Sequence, residues 1–264
     1  MPDPTVLDAL RERAGAAAAR AHVPYSRRPA GAVLLLADGS WIAGARVENA
    51  AYPLTIPAAT AAVCAARVAG RAGDVRAVVL SGPFAAGEAA SLAALVDAPL
   101  TPAGDDALAV ADDLPAPADE LRLALDAPAS AGDRVGVGLA AAAALHAHVP
   151  ESDFHVGCVV LAADGRLYAG ANVEAADWTR GLCAERVALA AVVAAGAGPA
   201  RRVWLACLRG GGCSPCGACR QVLAELAPDA ELVIGRGAGE PSIVGVGDLL
   251  PGAFGAAQLR GGPA

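Results

Sequence analysis

Four residues in the last third of the chain have the types and spacing of a metal site that does chemistry. Cys216 and Cys219 stand three apart, behind Pro215, at the start of a predicted helix, so both side chains project onto one face. A thiolate there also sits where the helix dipole favours negative charge. Cys183, at the start of the preceding helix, offers a third thiolate. Zinc prefers sulfur and imidazole ligands in a tetrahedron, and three protein ligands leave the fourth position for water, the arrangement of a catalytic zinc. Glu185, two residues past Cys183, falls on that helix's first turn, near the metal without being a ligand, where a carboxylate can carry protons. Cys-x-x-Cys alone would equally suit a structural zinc knuckle or a redox pair. The third cysteine and the glutamate turn the reading towards catalysis. Cys213 also lies three residues before Cys216 and could compete as a ligand, but reads rather as a loop thiol, while Cys64, Cys158 and Cys207 sit in apolar runs and read as core.

The elements that must hold these residues emerge from local pattern. An alanine-rich helix is predicted near Val135–Ala147 and is stopped by Val149-Pro150, because proline disfavours helix in the residue before it. Two apolar runs, Gly157–Ala162 and Leu167–Val173, flank Asp164-Gly165, a strong hairpin signal. A helix near Cys183–Ala195 ends before Gly196. A strand near Arg202–Leu208, a helix near Cys216–Leu226 and a strand near Leu232–Gly235 complete the set. Alternating strands and helices predict a layered α/β domain. The run Gly210-Gly211-Gly212 is followed by no lysine, so it reads as a flexible loop and not as a phosphate cradle.

The same order of elements occurs twice. One constant offset carries His22 onto His148, Gly31 onto Gly157, Asp38-Gly39 onto Asp164-Gly165, Gly44 onto Gly170, Val47-Glu48 onto Val173-Glu174 and Gly70 onto Gly196. Alanine matches could be chance in so alanine-rich a chain, but these are not. The expected organisation is two tandem three-layer α/β/α modules, each with a mixed sheet of about five strands. Residues 1–130 would form the first module and linker, and residues 131–264 the second. Pro115, Pro117 and Pro128 mark the linker, with a short helix expected at Asp119–Leu125. The first copy has lost the chemistry: Pro57, Ala59 and Thr60 stand where the second has Cys183, Glu185 and Arg186. Arg46 replaces Asn172 and Arg28 replaces Phe154, and no Pro-Cys-x-x-Cys comes after Ser81-Gly82-Pro83.

Composition narrows the partners. The sequence has 55% hydrophobic and 18% charged residues, which suits a packed globule rather than a disordered chain. It contains no lysine, which excludes Schiff-base and P-loop lysine chemistry. A net charge of −7 opposes binding to a phosphate backbone, so a small uncharged substrate is expected and nucleic acid is not. The Met-Pro-Asp-Pro start lacks the features of a signal peptide, and no apolar run is long enough to span a membrane. Seven cysteines, six of them in the second half, suit a metal site in the reducing cytoplasm.

With cysteine in place of the first histidine, the layout matches the zinc-deaminase signature. The second half resembles the cytidine deaminase family through Phe154-His155-Val156-Gly157, Ala171-Asn172-Val173-Glu174, Cys183-Ala184-Glu185-Arg186, Ser214-Pro215-Cys216-Gly217-Ala218-Cys219-Arg220-Gln221 and Leu249-Leu250-Pro251 with Phe254. The resemblance implies hydrolysis of cytidine or deoxycytidine to the uridine and ammonia in pyrimidine salvage. Zn²⁺ would activate a water that attacks C4, and Glu185 would shuttle the protons. It further implies that Asn172 and Glu174 hold the ribose hydroxyl, that Phe154 packs on the pyrimidine, that Ala184 borders the substrate and that Arg186 hydrogen-bonds the cysteine sulfurs. Two-module relatives are homodimers, so a homodimer is expected here, although the order of live and decayed modules is reversed. By analogy with four-module assemblies, the first copy would close the active site, with Tyr52 as the contact. Two alternatives stay open. One is a deaminase of a modified cytosine nucleoside, suggested by Ala175-Ala176-Asp177-Trp178-Thr179-Arg180 in place of the family's usual loop. The other is a non-catalytic zinc-stabilised scaffold, against which the retained Glu185 argues.

Overall fold

The computed structural model describes residues 3–93, 95–111, 113–128, 132–209 and 213–259. The expected boundary at residues 130 and 131 and the Gly210-Gly211-Gly212 loop lie outside them.

In the first module α1 (Pro4–Ala18) starts on Asp3, whose carboxylate accepts from the Thr5 N–H at 2.8 Å, with Pro4 in the first turn where its missing N–H costs nothing. Strands β1 (Gly31–Leu36) and β2 (Trp41–Ala45) form the expected hairpin, with Gly39 at φ +83° in the turn. Helix α2 (Ala58–Val68), β3 (Val75–Leu80), a short α3 (Glu88–Ala93), β4 (Thr101–Pro102) and β5 (Ala107–Ala109) come next. The second module repeats the opening with α4 (Asp133–Ala144), β6 (Val156–Ala162), β7 (Leu167–Ala171) and α5 (Ala184–Ala194). It continues with β8 (Ala200–Cys207), α6 (Gly217–Leu226), β9 (Glu231–Ile234), β10 (Ser242–Gly245) and a terminal α7 (Ala256–Leu259). Among the described residues no helix is long and apolar enough to cross a membrane.

The central strands of each sheet are buried on both faces, which explains their apolar runs. Along β1, Val33 and Leu35 join the α1 residues Leu7, Leu10 and Ala14, while Ala32, Leu34 and Leu36 join α2. Along β6, Val159 packs with Ala140 of α4, and Cys158 and Val160 pack with Ala188 and Leu189 of α5. Both modules are therefore α/β/α layers.

Their sheets differ in one respect. The second, in order β10-β9-β8-β6-β7, is mixed, because α6 carries the chain from β8 back to β9 in parallel. In the first, in order β2-β1-β3-β5-β4, every described pairing is antiparallel. Six-residue α3 and the two-residue β4 stand where α6 stands in the other module, too short to make the crossover. The sheet-mixing helix is also the one that carries Cys219 in the second copy.

The linker forms no helix at Asp119–Leu125. Pro115, Pro117 and Pro128 favour extended backbone, and the segment lies as a strap along the edge strand of each sheet. Trp41 N–H donates to Asp119 O and Leu121 N–H to Trp41 O, and Leu125 N–H donates to Leu167 O on β7. Arg20 grips Glu120 of the strap through two hydrogen bonds and also the Ala194 carbonyl at the end of α5. The modules share core: Val173, Leu182, Val187 and Ala190 pack in one cluster with the alanines of α2. The small side chains of α2 and α5 allow that approach, and α5 is buried nearly all round.

The repeated glycines are contact points for these helices. A Cβ on Gly170 would collide with the backbone of Ala184 and Ala188, and one on Gly44 with the backbone of Ala58 and Ala62. Neither helix can yield cheaply. Gly170→Ala is expected to lower stability by about 1–3 kcal/mol and also to reduce bound zinc, since Ala184 adjoins Cys183. Gly44→Ala should cost comparable stability and leave zinc intact. Thermal melts and metal analysis of the two proteins check this.

Candidate active site

Helix starts build the site. Cys183 is the N-cap of α5 and Cys216 the N-cap of α6, and neither helix has a side-chain cap hydrogen bond. Cys219 lies on the first turn of α6 and is fully buried. The Sγ atoms of Cys183, Cys216 and Cys219 lie within 4.8 Å of one another, with Cys183 and Cys216 3.7 Å apart. A tetrahedral zinc with bonds of about 2.3 Å sets its sulfurs about 3.8 Å apart, so the three donors fit that ion. Among the described residues no fourth His, Cys, Asp or Glu joins the cluster. Hydrogen bonds from the Cys183 and Cys219 thiols, helped by the Cys219 and Ala218 N–H groups, hold the Cys216 thiol far below its usual range.

Glu185, on the first turn of α5, is 3% exposed. Burial raises its carboxyl above the usual range, and hydrogen bonds with its own backbone N–H and with the Cys219 side chain only partly oppose that. Among the described residues it is the one carboxylate in the wall of a cavity of about 220 Å³ that also includes Phe154, Asn172, Cys183, Ala184, Cys216 and Cys219. Seven of the residues expected at the site thus meet around one hollow. Phe154 forms a half-open wall. Asn172 Oδ1 accepts from Val156 N–H at 2.8 Å and its Nδ2 donates to Phe154 O at 2.9 Å, fixing the entry to β6. One amide proton and one lone pair remain for a ligand.

Three expected residues lie elsewhere. The Glu174 carboxylate faces its own loop, accepting from the N–H groups of Glu151 and Ser152 and the Ser152 hydroxyl. Glu48 does the same with Tyr25 and Ser26 in the other module. A carboxylate with the same partners in both copies is a loop fastener, and Glu174 is not in the cavity wall. Arg186 makes no hydrogen bond to a sulfur. Its Nη2 crosses the module boundary to the Leu54 carbonyl at 3.1 Å, because it leaves α5 on the side packed against the first module. Tyr52 does not line the cavity of its own chain. Its short 3₁₀ turn (Tyr52–Leu54) sends Leu54 into the second module's core and leaves Tyr52 83% exposed. His22 and His148 are twins that bridge to Val47 and Val173, so their place is structural.

Other contributors carry weaker sequence signals. Cys213, Ser214, Val156 and Leu205 complete the wall. Arg220 braces the loop before Cys216, donating to Pro215 O and Ser214 Oγ at 2.9 Å each. Gln221, buried beside it, donates to Phe254 O and ties down the C-terminal segment. Both come directly after Cys219, and only the family pattern around them hints at a task.

A three-layer α/β module with three thiols and a buried carboxyl around one hollow has the make-up of a zinc-dependent hydrolase. The comparisons narrow that class. Residues 133–235, and separately 2–82, match the family described as "Cytidine and deoxycytidylate deaminase zinc-binding region". A cytidine deaminase of Halalkalibacterium halodurans is 40% identical over 43% of this chain and 87% of its own length. One from Mycobacterium tuberculosis is 43% identical over 46% of this chain and 89% of its own. The crystal structure of cytidine deaminase from Burkholderia pseudomallei aligns with 47% of this chain and 100% of that one, at 38% identity and a TM-score of 0.45. The chain belongs to the cytidine deaminase family, and its cofactor is Zn²⁺.

The cluster has a direct test. Cys183→Ser, Cys216→Ser and Cys219→Ser should each cut bound zinc from one ion per chain to a small fraction. Cys213→Ser, in the wall but outside the cluster, should keep its zinc. Metal analysis by mass spectrometry distinguishes the two groups.

Proposed function

We propose that the second module hydrolyses cytidine or deoxycytidine to the corresponding uridine and ammonia, and that the first module is non-catalytic. One observation carries the reading: a buried carboxyl, Glu185, shares a small cavity with three thiols spaced for zinc. The family's relatives act on the same substrate class by name.

When bound, Zn²⁺ supplies the Lewis acidity that makes water a nucleophile near neutral pH. The chain's own residues do the rest. Exchanging the C4 amino group for oxygen needs a proton moved from water to the ring N3 and another delivered to the departing nitrogen. The Glu185 carboxyl takes and returns them, and its raised pKa suits a group that must hold a proton part of the time. Phe154 covers one face of the base, and the remaining hydrogen-bonding capacity of Asn172 meets a ribose hydroxyl. Arg220 and Gln221 keep the loop bearing Cys216 and the C-terminal segment in place.

The first module lacks the thiols and the carboxyl at the matching positions. The altered loop that raised the modified-nucleoside alternative does not border the zinc cavity. Thr179 and Arg180 face a different hollow in the first module, so the change bears on the module contact, and ordinary cytosine nucleosides are the better supported substrates. A scaffold would have no use for a buried proton carrier beside its metal.

Glu185→Gln is expected to retain one zinc per chain while kcat/KM for cytidine falls about 10²- to 10⁴-fold. Ammonia release beside metal content checks both. Turnover within a few-fold of the parent would remove the carboxyl from the mechanism.

A further inference from the structure

A second hollow, of about 610 Å³, is larger than the zinc cavity of about 220 Å³. It lies at the matching place in the first module. Ala30, Arg46, Pro57 and Ala58 line it where Val156, Asn172, Cys183 and Ala184 line the zinc cavity. The vestigial site has therefore been enlarged and not filled in.

Its wall has changed sign. Arg46, Arg180 and Arg186 line it, the last two reaching in from the second module, against one carboxylate, Glu88. Two of the three guanidiniums have partial partners. Arg46 Nε is 3.4 Å from Glu48 without forming a hydrogen bond, and Arg180 Nε donates to Asp177 at 2.8 Å. Arg186 is different. It is 9% exposed, makes no ion pair among the described residues, and its buried Nε has no partner. Its one hydrogen bond ends on a neutral carbonyl. A buried guanidinium whose Nε has no partner is costly. Helix α2 also begins at this hollow, with Pro57 as an N-cap that offers no side-chain bond and no acid in its first turn. The N–H groups of such a helix start suit an anion. Leu80, Leu92, Leu95 and Leu182 supply apolar walls.

We infer that this cavity binds a small phosphate ester with a nucleoside-sized organic part. The forked donors of Arg46, Arg186 and Arg180 and the start of α2 hold the phosphate, and the leucine walls take the organic portion. The inference does not rest on the deaminase reading of the second module.

The test is calorimetry on the zinc-loaded full chain with uridine 5′-monophosphate as the probe, beside uridine and inorganic phosphate. Arg46→Gln and Arg180→Ala are the variants. Arg180 sits on an exposed turn, so its variant stays readable if Arg46→Gln lowers stability through Glu48. The nucleotide should bind the parent and raise its melting temperature, and each variant should weaken binding about tenfold or more. Cytidine turnover of Arg180→Ala should stay near the parent's. Absence of binding at millimolar nucleotide would overturn the inference. So would affinity unchanged in both variants, displacement by equimolar uridine, or inorganic phosphate binding as tightly as the nucleotide.

Discussion

Two helix starts that would otherwise lack caps are brought nose to nose, and the rest of the second module depends on that meeting. Cys183 and Cys216 occupy N-cap positions where serine or aspartate would ordinarily accept a backbone N–H. Each instead turns its sulfur towards the other. Bringing together the N-termini of α5 and α6 concentrates positive potential where three thiolates must be stabilised. The sheet serves this end. Helix α5 leaves the β7 hairpin across Gly170, and α6 is the crossover that places β9 parallel to β8.

The first module has the same frame without the thiols and carboxyl of the second. Its hairpin, its glycine contacts and its glutamate fastener persist, because they stabilise the layers and not the chemistry. The crossover helix does not. Without thiols to present, a short helix and a two-residue strand close the sheet with antiparallel pairings alone. The layered frame is thus separable from the metal site, and α6 is the element that joins them.

How much is legible in the sequence divides along the same line. The thiols, Glu185, the hairpins and the duplicated frame stand out through local spacing and through positions where only glycine fits. Glu174 does not take the place its family role implies, although Glu48, its twin in a copy without chemistry, points to a fastener. The directions of Arg186 and Tyr52 depend on how the modules dock, which no local pattern records. The absent linker helix is a case of tertiary pairing outweighing alanine and leucine propensity, since no proline falls within 119–125 and two sheet edges take the extended chain.

The docking of the modules also explains why the two hollows diverged in charge. In the zinc cavity three thiolates on a divalent cation would leave a net negative centre, and among the described residues no arginine lines its wall. Arg186 starts from the same helix turn as Glu185, yet helix geometry sets it on the neighbouring face, so it serves the other module. Thr60 is its counterpart in the first copy, which therefore returns no charge across the boundary. The exchange is one-sided: cations from the second module enter the hollow of the first, and Arg46 joins them where Asn172 would stand. Arg46, in the first copy itself, has a buried Nε without a hydrogen-bond partner, and replacing it by an apolar side chain would remove that desolvation cost. The charge asymmetry is therefore better understood as a second use of an old nucleoside-shaped space than as the residue of a lost one.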